Sequence, residues 1–504
     1  VEDDMSHVAF RREPYQAETD YVVIGSGAGG ATAAAALAGS GAHVTLVEAG
    51  AWLDPEHYPS SVYGTMRTLF DNWGTLVTRG RALWPIVQGR SVGGSTVINS
   101  AICVRTPEDV FDRWEREAGI SGLREPVRRH QESLERELSA TPVPAASAGR
   151  GNELAHLGAD RLGYENHVIT RYVKGCAGAG QCLQGCRGGR KQSLNITLVP
   201  QVLLHGGDVL SCAPVERILL AGRRAVGVRG RFRHPHSQRA GGRFEIRARR
   251  AVVVAASVTW SPVLLQRSGV ALPALGQHFR AHPGAGVFGV YDEPVDMNRG
   301  ATQGWGTTAF RDDPGFKLET LSLPPEMIAS RLSGGGSALA SKLREYRHLA
   351  MWVAAVRAET VGSVRPGLLG RPVIRYTPAR ADMDRLRRGL AVVARTHFAA
   401  GARRVLPGIY GLPYAIGPDE VRLIEEGPLD PRAYVAVLSH LFGGCVMGRD
   451  PACSVVDERG RVHGYDGLVV ADASVIPSNL GVNPQHTIMA LARTFAERLV
   501  EQAA

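Results

Sequence analysis

The apolar positions change period twice within the first fifty residues. Tyr21 to Ile24 is a short continuous apolar run, an alanine-rich stretch follows, and a second apolar run covers His43 to Val47. A short run, a helix-forming stretch and another short run predict a β-α-β unit. Gly25, Gly27 and Gly30 stand as G-x-G-x-x-G between the first strand and the helix, and Glu48 closes the second strand. Gly25 suits a tight turn, Gly27 lets backbone approach a pyrophosphate, Gly30 lets helix and strand pack closely, and Glu48 is placed for ribose hydroxyls. No second fingerprint for NAD follows, which favours one tightly held flavin dinucleotide.

Farther along, residues 106–164 read as charged surface helices. The stretch 208–232 and the run "FEIRARRAVVVAASVTWSPVLLQRSG" read as alternating and continuous apolar strands that return to the dinucleotide domain. "HPH" at His234 to His236 falls in the hairpin between them, as a polar loop. Residues 281–439 are mixed and contain one clear amphipathic helix at 381–402. They hold no carboxylate or basic cluster that marks a substrate. "GLVVADASVIP" is a buried strand with Asp472 at its C-terminal end, where sheets of this kind bind cofactors.

Composition narrows the class. The chain has 504 residues, 44% hydrophobic and 21% charged, too long for one compact core. It has no apolar run near the roughly 18 residues of a membrane span. Net charge +10 is spread along the chain, which points to a solvated surface and away from nucleic acid. The start "VEDDMSHVAFRREPYQ" lacks the basic-then-apolar pattern of a secretory signal, so the cytoplasm is expected. Seven cysteines, an odd number, argue against a secreted disulfide framework.

Five segments in order carry a family resemblance: the glycine fingerprint with Glu48, "GRSVGGSTVIN", "SPVLLQRSG", "HLFGGCVMG" and "DASVIPSNLGVNPQHTIMALA". Together they resemble the glucose-methanol-choline (GMC) oxidoreductases, FAD-dependent enzymes that oxidise alcohols. "AASVTWSPVLL" departs from the small-residue version usual in the family. The resemblance implies an α/β fold: a Rossmann-like FAD-binding domain with an interleaved substrate domain, an antiparallel sheet covered by helices. It also implies the divisions 17–140, 200–280 and 440–504 for the FAD domain, 141–199 for a cap and 281–439 for the substrate domain.

By the same resemblance, Gly25, Gly27, Ala28, Gly30, Glu48 and Ala49 would hold the adenosine and pyrophosphate half of FAD. Val215 would present its backbone to adenine. Arg90, Gly93, Gly94, Ser95 and Asn99 would run along the flavin. Asp472, Ala473, Asn483, Pro484 and Thr487 would close the site from the C-terminal side. His440 opens the H-x-x-G-x-C-x-M-G motif and would be the base, with Asn483 as its partner on the substrate oxygen, a His and Asn pair as in the cholesterol-oxidase and choline-oxidase branches. A histidine titrates near neutral pH and suits an alcohol that must lose its proton as hydride leaves. His486 reads as structural or pocket-lining.

"GCAGAGQCLQGCRGGRKQS" carries Cys176, Cys182 and Cys186. Three thiolates in a glycine-rich loop can hold a cluster, and the spacing resembles iron-sulfur members of the family that pass electrons to a carrier. Reduced thiols or one disulfide in a lid are the alternative. Expected partners are a small-molecule alcohol (steroid, long-chain alcohol, sugar or natural product) and either oxygen or an electron carrier. Non-oxidative lyase chemistry and a non-catalytic flavin carrier remain as rival functions.

Overall fold

Two large sheets organise the computed structural model, which describes residues 6–502; the acidic residues 1–5 of the expected signal-free start lie outside it. The first sheet has a parallel core in the order Ser6–Val8, Asp208–Leu210, Val44–Val47, Tyr15–Ile24 and Ala240–Val254. Ala240–Val254 is a 15-residue strand with two sets of partners. Its first half pairs antiparallel with Arg224–Arg233, which in turn pairs with Val215–Ala221. Its last three residues pair in parallel with Leu468–Val470. Val44–Val47 and the C-terminal ends of Tyr15–Ile24 and Ala240–Val254 are buried on both faces and accordingly read as nearly continuous apolar runs.

Helix Ala28–Gly39 lies against this sheet with Gly29, Gly30 and most of its alanines buried. Small residues are required there. A Cβ on Gly30 would come within 1.8 Å of Gly25 O, and one on Gly29 within 1.8 Å of Ala471 O. The helix is wedged between the first turn and the end of the last strand. Helices Glu108–Ala118 and Arg124–Glu137 bury one apolar stripe each and expose the charged remainder, as their sequence pattern indicates.

The second sheet is antiparallel and joins Arg404–Leu406, Arg280–Val290, Leu349–Val356, Phe316–Thr320, Trp305–Thr307 and His167–Val168, with Val437–Phe442 also paired to Arg280–Val290. The 20-residue helix Arg380–Ala399 packs on it. One sequence reading changes. Ser261–Arg267 is a helix, because Pro262 at its first turn leaves no amide to donate and the strand ends at Val254. "GRSVGGSTVIN" forms one short 3-10 turn, Gly94–Thr96, in irregular backbone. Among the described residues no helix is long and apolar enough to cross a membrane.

Candidate active site

The first turn, the 89–99 loop and the ends of strands Val44–Val47 and Leu468–Val470 enclose one cavity of about 1700 Å³, open mouth included. Gly25, Gly27, Ala28, Glu48 and Ala49 line it at one end, with Val215 beside them. Arg90, Gly94, Ser95 and Asn99 line its flank, and Asp472, Ala473, Asn483 and Pro484 its far wall. His440 lines it as well, with Ser439 and Leu441 on either side. Gly30, Gly93 and Thr487 stand one layer back: Gly30 packs on the turn, the Gly93 N–H donates to Ser26 Oγ at 3.0 Å, and the Thr487 hydroxyl pairs with that of Thr106 at 2.8 Å.

Hydrogen bonds lock this cradle. The Ser26 N–H and hydroxyl both donate to Glu48 Oε2, at 2.9 and 2.7 Å, and the Gly50 N–H donates to Oε1 at 2.8 Å. Ser26 thereby ties the fingerprint turn, the 89–99 loop and the acid into one unit. Asp472 accepts from the Ser257 N–H, the Ser261 hydroxyl and the Ser474 N–H. Its burial pushes its carboxyl up from the ordinary value. Ser257 takes φ +87 to make its bond, and it lies in the segment that departs from the family pattern. A dinucleotide fits here: a Cβ built on Gly27 meets nothing within 4 Å, so the backbone is open to the cavity at the start of a 12-residue helix.

His440 sits in strand Val437–Phe442, directly opposite His282 in the register. A chain of hydrogen bonds leads to it. Asn479 donates both Nδ2 hydrogens, to Ala281 O at 2.9 Å and Ala358 O at 3.1 Å. Its Oδ1 is therefore the acceptor that faces His282 Nε2, and the Gly481 N–H is shared between that oxygen at 3.0 Å and the ring nitrogen at 3.1 Å. His282 Nδ1 lies 3.2 Å from His440 Nδ1. His440 Nε2 lies 3.5 Å from Asn483 Nδ2. Burial first, and the Lys317 ammonium second, push His440 down to about 3, while burial and the neighbouring His440 hold His282 well below its ordinary value.

Lys317 was not legible as a site residue. It is 3% exposed on strand Phe316–Thr320, ion-paired with Glu319, and it donates to Asn483 Oδ1 at 2.5 Å. Glu319 also accepts from Gln303, a cavity-lining residue, at 3.0 Å. The 281–439 segment thus does contain a charged pair, one layer behind the cavity wall. His486 is structural: it is fully buried, bonds the Tyr172 hydroxyl through Nδ1 and Glu135 at 3.1 Å through Nε2, and does not line the cavity.

The cluster expectation for Cys176, Cys182 and Cys186 is not supported. All seven cysteines are free, and among the described residues these three sulfurs form no metal-holding group. Two cations are packed around Cys182 instead. Arg171 donates to Cys182 Sγ at 2.9 Å, and the buried Lys191 ammonium donates to the carbonyls of Val97, Asn99 and Cys182 at 2.6, 2.7 and 2.9 Å. Burial opposes ionisation of Cys182, but Arg171 and Lys191 overcome it and hold the thiol down to about 7. The cysteine loop is the anchor of a lysine that pins the 89–99 loop.

Comparison with known proteins shows the family. The GMC oxidoreductase N-terminal model matches residues 20–284 and its C-terminal counterpart residues 360–492. An uncharacterized GMC-type oxidoreductase of Mycobacterium tuberculosis is 36% identical over 97% of this chain and 76% of its own length. A long-chain-alcohol oxidase of Arabidopsis thaliana is 27% identical over 97% of this chain and 68% of its own. Among solved structures, formate oxidase of Aspergillus oryzae, described with its FAD modification, superposes with TM-score 0.71 at 18% identity over 97% of this chain and 99% of that one.

Proposed function

The chain belongs to the GMC oxidoreductase family, flavoproteins that hold FAD, and from that premise we propose that it oxidises the hydroxyl of a bulky, largely apolar alcohol to a carbonyl in the cytoplasm, with His440 as base. The observation that carries this reading is His440 Nε2 beside Asn483 Nδ2 in the cavity wall, with the other ring nitrogen engaged by His282. Bound FAD would supply the hydride acceptor. Gly25, Gly27 and Glu48 would hold its adenosine and pyrophosphate half, and Arg90 to Asn99 would run along its flavin.

This chain's own groups account for the proton. The substrate hydroxyl donates to His440 Nε2, and the oxygen it leaves accepts from Asn483 Nδ2. The neighbouring ring of His282 keeps the His440 Nδ1 proton in place, so Nε2 is the free basic atom. The N-terminal end of helix Gln485–Glu501 opens on the cavity through Pro484 and Gln485 and favours negative charge there. A positioned base of this kind is worth about 10² to 10⁴ in rate.

Trp260, Leu264 and Ile102 in the cavity wall support an apolar substrate, as does similarity to long-chain-alcohol oxidases. That similarity also favours oxygen over an electron carrier as the final acceptor. We further propose the FAD-domain segments 17–140, 200–280 and 440–504, with 141–199 as cap and 281–439 as substrate domain. The test is anaerobic: long-chain primary alcohols should bleach the flavin's visible band in the wild type, and H440A should slow bleaching at least a hundredfold. A flavin that stays oxidised across a panel of long-chain, steroid and sugar alcohols would overturn the oxidation.

A further inference from the structure

Asn483 can serve the reacting oxygen only if its carboxamide faces one way. An ammonium has donors and no acceptor, so the Asn483 atom facing Lys317 Nζ must be Oδ1. The Nδ2 group is thereby turned toward His440. Holding Oδ1 needs only one donor, and a neutral hydroxyl or amide would do it without taking a charge out of water. The chain instead places a lysine there and brings Glu319 to the same ammonium. Lys317 and Glu319 lie two residues apart on one strand and so share a face of the sheet.

We propose that Lys317 is a positioning residue of the oxidation: it fixes Asn483 with Nδ2 toward the substrate oxygen and stations a positive charge behind the His440 and Asn483 pair. The inference rests on the reading of His440 as base. A cation at this place disfavours the imidazolium in the resting site, so Nε2 stays ready to accept a proton. It also favours negative charge on the oxygen that Asn483 holds. Glu319 limits both effects, because it is paired to the same ammonium.

The charged and titratable groups facing His440 are few. His282 faces it from strand Arg280–Val290, and Lys317 and Glu319 from strand Phe316–Thr320. Arg357 acts on His282 from the end of strand Leu349–Val356, and His167 feels Glu319 and Lys317 from its own strand. Asp472 lies on the cofactor side, before the turn packed on strand Val437–Phe442. Of these, burial and Lys317 account for the low value of His440.

The test uses K317M/E319Q, which removes the pair without leaving a buried charge alone, together with K317R and K317Q/E319Q. Two readouts are followed in the FAD-loaded protein: the pH profile of anaerobic flavin reduction, and the titration of His440 by ¹⁵N-histidine NMR, assigned with H440A. In K317M/E319Q the acid limb and the His440 titration should both move up by at least one pH unit. The limiting reduction rate should fall roughly ten- to a hundredfold, in the range for a group that orients a reacting one, with substrate affinity changed less. K317R should restore the wild-type profile.

If K317M/E319Q leaves both the profile and the rate unchanged while H440A abolishes reduction, the role of Lys317 is refuted and the base stands. If H440A reduces flavin at the wild-type rate, the base assignment itself fails. Should the double variant not fold, K317Q/E319Q decides. A neutral amide then stands in place of the ammonium, the acid limb must move up, and no movement refutes the proposal.

Discussion

Gly30 and Gly27 lie three residues apart in one fingerprint, yet the structure assigns them separable jobs. A Cβ on Gly30 would stand 1.8 Å from Gly25 O and 3.0 Å from the Ala255 side chain. The oxygen is backbone in a turn at φ +93 and cannot rotate away. To reach ordinary contact at 3.4 Å, helix and turn must part by about 1.6 Å. Overpacking of that kind costs about 1 to 3 kcal/mol, toward the upper end when backbone must move. G30A should therefore lower the stability of FAD-free protein by roughly 3 kcal/mol in urea. A Cβ on Gly27 meets no protein atom within 4 Å and enters the space a pyrophosphate would use. G27A should leave FAD-free stability within about 0.5 kcal/mol of the wild type and weaken FAD retention, read as flavin absorbance per protein after gel filtration. Equal urea midpoints for G30A and the wild type without FAD would refute the packing argument. Unchanged flavin content in G27A would refute the open-backbone argument.

Other outcomes follow from single contacts. E48A strands the Ser26 and Gly50 donors, each a loss of about 1 to 3 kcal/mol when buried, and should yield protein with little flavin by absorbance. K191M leaves the carbonyls of Val97 and Asn99 without their donor and should loosen the 89–99 loop, read as faster amide exchange there. Replacing Cys176, Cys182 and Cys186 together by alanine should leave the visible spectrum that of flavin alone, and iron found in the wild type but absent from the variant would contradict this. Leu369 is 85% exposed at φ +59, so L369G should raise stability by about 1 kcal/mol in thermal melts.

Legibility in the sequence followed the range of the interactions. The β-α-β unit could be read because its strand, turn, helix and acid fall within 30 residues and each has a local signature. Lys317 could not, since "FKLET" shows only two polar residues on one face of a strand, while the Asn483 oxygen that gives one of them its meaning lies 166 residues away. His282 and Asn479 were missed for the same reason: the orientation of Asn479 depends on two backbone carbonyls that only the folded chain brings together. The motif singled out His440, but not that strand Val437–Phe442 carries it and that the glycines begin after the strand has ended. The cysteine spacing permitted a cluster, and what decided against one was the pair of cations, Arg171 and Lys191, neither of which the spacing encodes.

The strand Ala240–Val254 has a consequence for the order of folding. Its parallel neighbours are Tyr15–Ile24, more than 200 residues earlier, and Leu468–Val470, more than 200 later. The fingerprint turn is complete once Gly30 has been made, but the sheet beneath it cannot close until Leu468–Val470 has followed, more than 400 residues later. Pairings that distant are slow to form, because loop closure is unfavourable until the contacts behind it are made. A nascent chain would expose one edge of Tyr15–Ile24 until Ala240–Val254 is made, and a protein stopped before Leu468 would retain the glycines that greet the cofactor without the strand that leads to Asp472.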